Sequence, residues 1–378
     1  MSVRAAVLRQ MGSAGPYAQT RPLQIEMLTL APPGPGEMRI RILAAGLCHS
    51  DLSVINGSRP RVMPMALGHE ACAEVLELGP QVSGFSPGDR VVTAFVPSCG
   101  CCAPCASGRA ALCEPGAQAN LAGTLLGGER RWGALDGSPV NHHLGVSCFA
   151  AEAVISARSA VKIDHDLPPA IAALFGCAVL TGVGAAINTA AIAAGQSAAV
   201  FGLGGVGMAA LLGARASGAN PLIAVDIVAG KRELALALGA THTVAADSAD
   251  ALAEIREISG GGVDCAIECV GSARALQMAY EATARAGVTV SAGLPDPSQQ
   301  LSIAAVSLVA EERTIKGSYM GSAVPVRDLP RYIGLYRAGR LPVDALLSHR
   351  LPLEQINAGF DRLANGDALR QVIDFTMQ

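Results

Sequence analysis

Six residues, Gly202-Leu203-Gly204-Gly205-Val206-Gly207, limit what this chain can fold into more than any other feature. They follow the apolar segment AAVF and open a stretch of helical spacing, the context in which G-x-G-x-x-G becomes informative. The glycines then have distinct tasks. Gly202 makes the turn, Gly204 lets a pyrophosphate approach, and Gly207 lets helix and strand pack, while the helix start at Gly205 and Val206 faces the phosphate charge. Asp226 lies 24 residues beyond Gly202, at the end of the next predicted strand. Its carboxylate can accept both adenosine ribose hydroxyls and would repel a 2′-phosphate, so NAD is expected rather than NADP. The plainer alternative is a glycine-rich helix entry beside a surface aspartate.

The surrounding pattern agrees with a dinucleotide fold. After Pro168 a helix is predicted over 170–194, a strand over 198–202, a helix over 206–217 and a strand over 222–226, with further strands over 265–269 and 288–292. This alternation argues for a doubly wound parallel sheet. The first ~160 residues differ, with β-type runs at 38–44, 74–78 and 90–94 between the breakers PPGPGE and FSPGDR, which predicts a compact, mostly β domain. A length of 378 residues suits two or three domains.

No charged residue occurs from Leu167 to Ala214, long enough to raise the question of a membrane span. Gly176, Gly182, Gly184 and Gly195 interrupt the run, as do Thr181, Asn188, Thr189, Gln196 and Ser197, and no aromatic belt flanks it. A buried seam between two domains is the better expectation. The net charge of −3 gives no basic footprint for nucleic acid or an anionic membrane. The segment MSVRAAVLRQ lacks an apolar export core, so the cytoplasm is the expected location.

Cys99, Cys102, Cys105 and Cys113 form C-x2-C-x2-C-x7-C. Such a loop can close a tetrahedral thiolate shell around one zinc ion, with metal–sulfur bonds of about 2.3 Å. Small buried cysteines or a disulfide staple are the alternatives, and nothing else in the chain looks secreted.

Three further groups are far apart: Gly46-Leu47-Cys48-His49-Ser50-Asp51, Gly68-His69-Glu70 and Gly176-Cys177. Spacing alone would not select them, and a lone His69 would more often be an ordinary histidine. Together with GHEACAEVLELGPQVSGFSPGDRV, NHHLGVSCFAAEAVI, VKID, VFGLGGVG and ALRQVIDF, however, they make nearly the whole chain resemble the zinc-dependent medium-chain alcohol dehydrogenases. The likeness is to the long-loop branch that holds the animal liver enzymes and the glutathione-dependent formaldehyde dehydrogenases.

The resemblance implies an α/β architecture in three segments. These are a GroES-like, mostly β catalytic domain over 1–178, an NAD-binding Rossmann domain over 179–321, and a return to the catalytic domain over 322–378. It implies two zinc ions per chain: a catalytic one on Cys48, His69 and Cys177 with its fourth position open, and a structural one on Cys99, Cys102, Cys105 and Cys113. Asp51 matches the carboxylate that orients the ligand histidine, and Glu70 the acid behind the metal. Ser50 matches the hydroxyl that takes the alcohol proton, although a plain N-cap or turn serine is its alternative. Thr181 and Val206 match residues that press on the nicotinamide. His49, Lys231 and Arg370 match positions facing the cofactor's phosphates or adenosine ribose. Phe95 and Leu294 match apolar pocket positions, which favours an apolar or aryl primary alcohol. Residues 114–144 resemble the extended loop of the dimeric branch and imply a homodimer.

The chain also departs from the pattern. Ser53 stands where many relatives have the histidine that ends the proton relay. Ala117 replaces the arginine that holds the glutathione carboxylate in the formaldehyde branch. Arg59 and Arg61 fall at the expected pocket mouth or are simply solvated. Cys72, Cys101, Cys148, Cys265 and Cys269 read mostly as small buried hydrophobes, and His142 and His143 as packing near the substrate side. The leading expectation is an NAD-dependent alcohol/aldehyde oxidoreductase acting on a small molecule. The alternatives are oxidation of a formaldehyde–thiol adduct and a non-catalytic nucleotide-binding protein.

Overall fold

Each strand expected after Pro168 forms, and two more join them, in the computed structural model, which describes residues 1–377. The chain divides into two units. One spans Met1–Cys177 and the residues from Leu347 onward, the other Ala178–Leu346.

The second unit is built on six strands in the order His242–Ala245, Leu222–Asp226, Ala198–Phe201, Val263–Glu268, Thr283–Ser291 and Thr314–Gly317. All neighbours run parallel. AAVF and LIAVD are buried at every position, as strands covered on both faces must be. Strand order reverses beside Ala198–Phe201, so the glycine loop that follows it lies at the sheet's switch point, where such folds bind ligands.

The first unit combines a closed barrel with a seven-stranded sheet. The barrel is made of Ser2–Leu8, Leu23–Leu30, Trp132–Gly133, Pro139–His142 and Met65–Ala66. The long strand Glu37–Leu47 organises the sheet, pairing with Ala71–Leu78, Glu152–Ser156 and the C-terminal strand Arg370–Asp374. Residues 114–144 begin as the helix Glu114–Ala122 and then supply the two short barrel strands Trp132–Gly133 and Pro139–His142, so the end of this segment is built into the barrel.

The charge-free run forms one long helical stretch, Pro169–Ala190, with 94% of its most apolar window buried. Burial in protein accounts for its composition. It ends at Ala190 rather than 194, because Ala191 turns left-handed at φ 55°. Its glycines permit close contacts within the second unit: a Cβ on Gly182 would meet the Val206 carbonyl oxygen, and one on Gly184 that of Gly321. The C-terminal boundary also differs from expectation. Residues 322–346 belong to the second unit, where the helix Pro325–Arg337 packs on Leu180–Gly184, and the return to the first unit begins at Leu347.

Candidate metal centres and nucleotide loop

In the cysteine lobe, one thiol atom from each of Cys99, Cys102, Cys105 and Cys113 lies within 4.8 Å of every other. Backbone amides already point at the sulfurs. Cys102 N donates to Cys99 Sγ at 3.3 Å, Cys99 N to Cys113 Sγ at 3.2 Å, and Gly116 N to the same sulfur at 3.4 Å. Amide donors from Cys101 and Cys102 draw the Cys99 thiol down to about 6. Burial pushes Cys105 up to about 12 and also raises Cys113. Four neighbouring thiolates cannot all ionise without a compensating cation, and a zinc ion is what this donor set accommodates. Cys101 is exposed, with its sulfur 3.6 Å from Cys99 Sγ, outside the set of four.

The second cluster is assembled from three elements of the first unit. Cys48 ends the run of strand Glu37–Leu47 and is the N-cap of helix His49–Ile55, which carries Ser50, Asp51 and Ser53. His69 follows Gly68, whose φ of +94° and contact with the Phe149 backbone leave no room for a side chain. Cys177 projects from a π-helical turn, Phe175–Val179, a distortion often found at functional sites. Cys48 Sγ and Cys177 Sγ are 3.9 Å apart, and His69 Nε2 is 3.4 Å from Cys177 Sγ. All three residues are buried.

Asp51 is fully buried and its Oδ1 lies 3.1 Å from His69 Nδ1, so Nδ1 carries the proton and Nε2 is left as a donor to a metal. Burial works against charge on both groups, yet the mutual attraction prevails. His69 is raised to about 10 by the Asp51 carboxylate and the Cys48 thiol, and Asp51 is held well below its ordinary range by the two histidines beside it. Contact with Cys177, more than offsetting burial, pulls Cys48 well below the usual thiol range, while Cys177 is pushed up. With the proton on Nδ1, the Nε2 lone pair and the two sulfurs beside it converge as donors on one buried point, where a cation would offset the negative charge of the thiolates. Two sulfurs and one imidazole nitrogen form the ligand set of a catalytic zinc with one open position.

Next to His69 in the chain, Glu70 is ion-paired with Arg370, and both are buried. Arg370, expected from the resemblance to face the cofactor, thus has its guanidinium on Glu70. Gly46 is fixed by this arrangement, since the Glu70 carboxylate fills the space where a Cβ would stand. Phe95 packs edge-on to the His69 ring at 5.7 Å between centroids, and His143 does the same at 5.6 Å. His143 Nδ1 also stands 3.1 Å from Asp51 Oδ1. The packing role expected for His143 is therefore incomplete, and a bare HH pair in the sequence carried no signal of it. His142, by contrast, accepts from Arg131 N at 3.1 Å and is lowered to about 3 by burial and the nearby Arg130 and Arg131.

Ser50 is half-buried in the first turn of its helix; Cys48 occupies the N-cap, so capping does not explain the serine. Ser53 donates to the His49 carbonyl at 2.8 Å, while His49 itself is exposed. Arg59 and Arg61 are half-buried in the loop after this helix, and Ala117 is exposed on Glu114–Ala122. Cys72 is raised to about 12 and Cys265 to about 11 by burial, and burial likewise raises Cys148 and Cys269, as fits unreactive packing thiols.

In the second unit, Gly202 adopts φ +85° and a Cβ there would strike Val270; a Cβ on Gly207 would collide with the Gly202 carbonyl oxygen. Gly204 is different. Its φ of −75° suits any residue and the space beside it is open, so nothing within the protein demands glycine. That open space is where the approach of a ligand's phosphate would call for glycine. Helix Gly205–Ser217 begins here with Val206 in its first turn. Asp226 is held rigidly, its Oδ2 accepting from Leu203 N at 2.6 Å and its Oδ1 from Val228 N at 2.8 Å. Lys231 is half-buried in helix Ala229–Ala237, and Arg232, unremarked in the sequence, donates to the Asp226 carbonyl at 2.7 Å. Thr181 is buried in Leu180–Gly184, and Leu294 is 52% exposed on the loop beyond Thr283–Ser291.

Residues 34–165 match the alcohol dehydrogenase GroES-like domain family and residues 205–337 the zinc-binding dehydrogenase family. The chain is 39% identical over 377 residues to a Mycobacterium tuberculosis protein assigned as alcohol dehydrogenase D, covering 99% of this chain and 100% of that one. It is equally similar, 39% over 386 residues and 99% of each chain, to the NDMA-dependent alcohol dehydrogenase of Amycolatopsis methanolica. The solved benzyl alcohol dehydrogenase of Acinetobacter calcoaceticus superposes with a TM-score of 0.92 at 31% identity, over 99% of both chains. With its two thiolate-rich centres and its glycine loop in view, the chain belongs to the zinc-binding, medium-chain alcohol dehydrogenase family.

Proposed function

We propose that this protein is an NAD-dependent zinc alcohol dehydrogenase that interconverts primary, apolar or aryl alcohols and their aldehydes. The observation that carries the proposal is the buried trio Cys48, His69 and Cys177, with Asp51 fixing the histidine tautomer. Bound there, zinc supplies the Lewis acidity that makes an alcohol proton easier to lose, and NAD supplies the hydride-accepting ring.

The chain's own residues provide the rest. Ser50, two residues from Cys48, takes the alcohol proton and passes it outward. Phe95, packed on the His69 ring, offers an apolar wall to the substrate carbon chain. The amides of the glycine loop and the helix start at Gly205 hold the pyrophosphate, and the anchored Asp226 carboxylate accepts the ribose hydroxyls. Thr181 and Val206 pack the nicotinamide. The name of the benzyl alcohol dehydrogenase relative supports an aryl substrate. The homodimer implied by residues 114–144 belongs to this proposal, and light scattering that gave the mass of one or four chains would count against it.

The test compares kcat/KM for benzyl alcohol, a medium-chain alcohol and S-hydroxymethylglutathione with NAD, alongside Arg59→Ala. The plain alcohols should win. A higher efficiency with the glutathione adduct that vanishes in Arg59→Ala would replace this reading and make Arg59 the carboxylate anchor that Ala117 cannot be.

A further inference from the structure

The two oxygens of Asp51 have unequal surroundings. Oδ1 is crowded: Gly68 N donates to it from 3.2 Å, His69 Nδ1 lies 3.1 Å away, and His143 Nδ1 stands at 3.1 Å as well. Oδ2 is buried and makes no hydrogen bond, and neither does His143 Nδ1. A buried acceptor and a buried ring nitrogen are thus both left without a well-formed hydrogen bond in one cage, the nitrogen already standing 3.1 Å from the same carboxylate. Leaving such groups unpaired in a dry interior is costly. A small reorientation of the ring or the carboxylate would bring His143 Nδ1 into line with an acceptor it already touches.

The surroundings of His143 leave its ring in place for this. Its backbone N donates to Ser147 Oγ at 2.9 Å, and its carbonyl accepts from Val146 N and Ser147 N, which ties off a tight turn. The ring lies edge-on to His69 and is fully buried. The edge-on contact is one any aromatic ring can make, so packing alone does not call for histidine.

We propose that His143 is a positioning residue for the zinc centre: protonated on Nδ1, it donates to the Asp51 carboxylate, which is thereby held by two rings at once, His143 and the ligand His69. This inference rests on the reading of Cys48, His69 and Cys177 as a zinc site. Held by two ring nitrogens and the Gly68 amide, Asp51 is kept from swinging away from His69 Nδ1, and the imidazole keeps Nε2 aimed at the metal. Loss of the His143 donor would leave a dry, half-satisfied carboxylate free to reorient, loosening a ligand it never touches.

The test measures zinc release from the fully loaded protein to a colorimetric chelator, with Cys177→Ser identifying which zinc belongs to which centre. His143→Phe keeps the ring and removes the donor. It should weaken the Cys48/His69/Cys177 zinc by on the order of tenfold, with the four-cysteine zinc unchanged as an internal reference. His143→Asn places an amide N–H near the position of Nδ1 and should recover most of the loss. The proposal is overturned if His143→Phe holds both ions as tightly as the unmutated chain, or if the Phe and Asn variants are equally weakened, which would mean that shape alone matters. An unmutated protein binding a single zinc would overturn the site reading and this inference together, an outcome distinct from two ions with no effect of His143.

Discussion

Arg370→Met, with Glu70 kept, would strand a carboxylate that has no exposure to solvent. The Glu70 oxygens have no hydrogen bond of good geometry to fall back on; the guanidinium is their counter-charge. Removing one member of a buried ion pair costs about 3–5 kcal/mol. With a urea slope of about 3 kcal/mol/M, the unfolding midpoint should fall by about 1 M or more. Trp132 is the single tryptophan of the chain and lies buried in the barrel of the same unit, so its fluorescence follows the unit that contains the pair. Adding Glu70→Gln to Arg370→Met should recover much of the loss, because a neutral amide needs no counter-charge. The double-mutant cycle should then return a coupling of about 1–3 kcal/mol. Additivity of the two single changes within about 0.5 kcal/mol would refute the reasoning.

Three further outcomes are expected. Elemental analysis should find two zinc ions per chain; Cys177→Ser should lose one together with turnover but keep the fold, whereas Cys105→Ser should lose the other and chiefly destabilise, and one ion or none in the unmutated protein would sink the assignment. Asp226→Gly should raise kcat/KM for NADP relative to NAD by on the order of tenfold, equivalent to about 1.4 kcal/mol, since a fixed carboxylate no longer meets the 2′-phosphate; comparable efficiencies before mutation would refute that role. Ser50→Ala should lower kcat by about 10²–10⁴-fold, the span of acid–base contributions, with Ser53→Ala mild, and the reverse pattern would show that the proton takes another path.

The parts of this protein legible in the sequence are those whose geometry is local. The glycine loop needs only the strand before it and the helix after it, so AAVF and six residues sufficed to place it at the mouth of a parallel sheet. The cysteine lobe closes within 15 residues, 99–113, and its spacing alone brings four sulfurs together. Cys48, His69 and Cys177 became legible only through resemblance, because nothing in a span of 129 residues fixes a distance of 3.9 Å.

Tertiary structure decided the rest through strand pairing. Strand Glu37–Leu47 takes Ala71–Leu78 on one side and Arg370–Asp374 on the other, which sets Glu70 against Arg370 across 300 residues of chain. The end of that same strand delivers Cys48 and, one helical turn on, Asp51. The turn after the barrel strand Pro139–His142 delivers His143 to the same Asp51 oxygen that meets His69. The register of a sheet is set by every residue pair along it rather than by a motif. The partners of a buried charge are therefore fixed by the assembled core, and only the folded chain shows which second histidine stands on the carboxylate that holds His69.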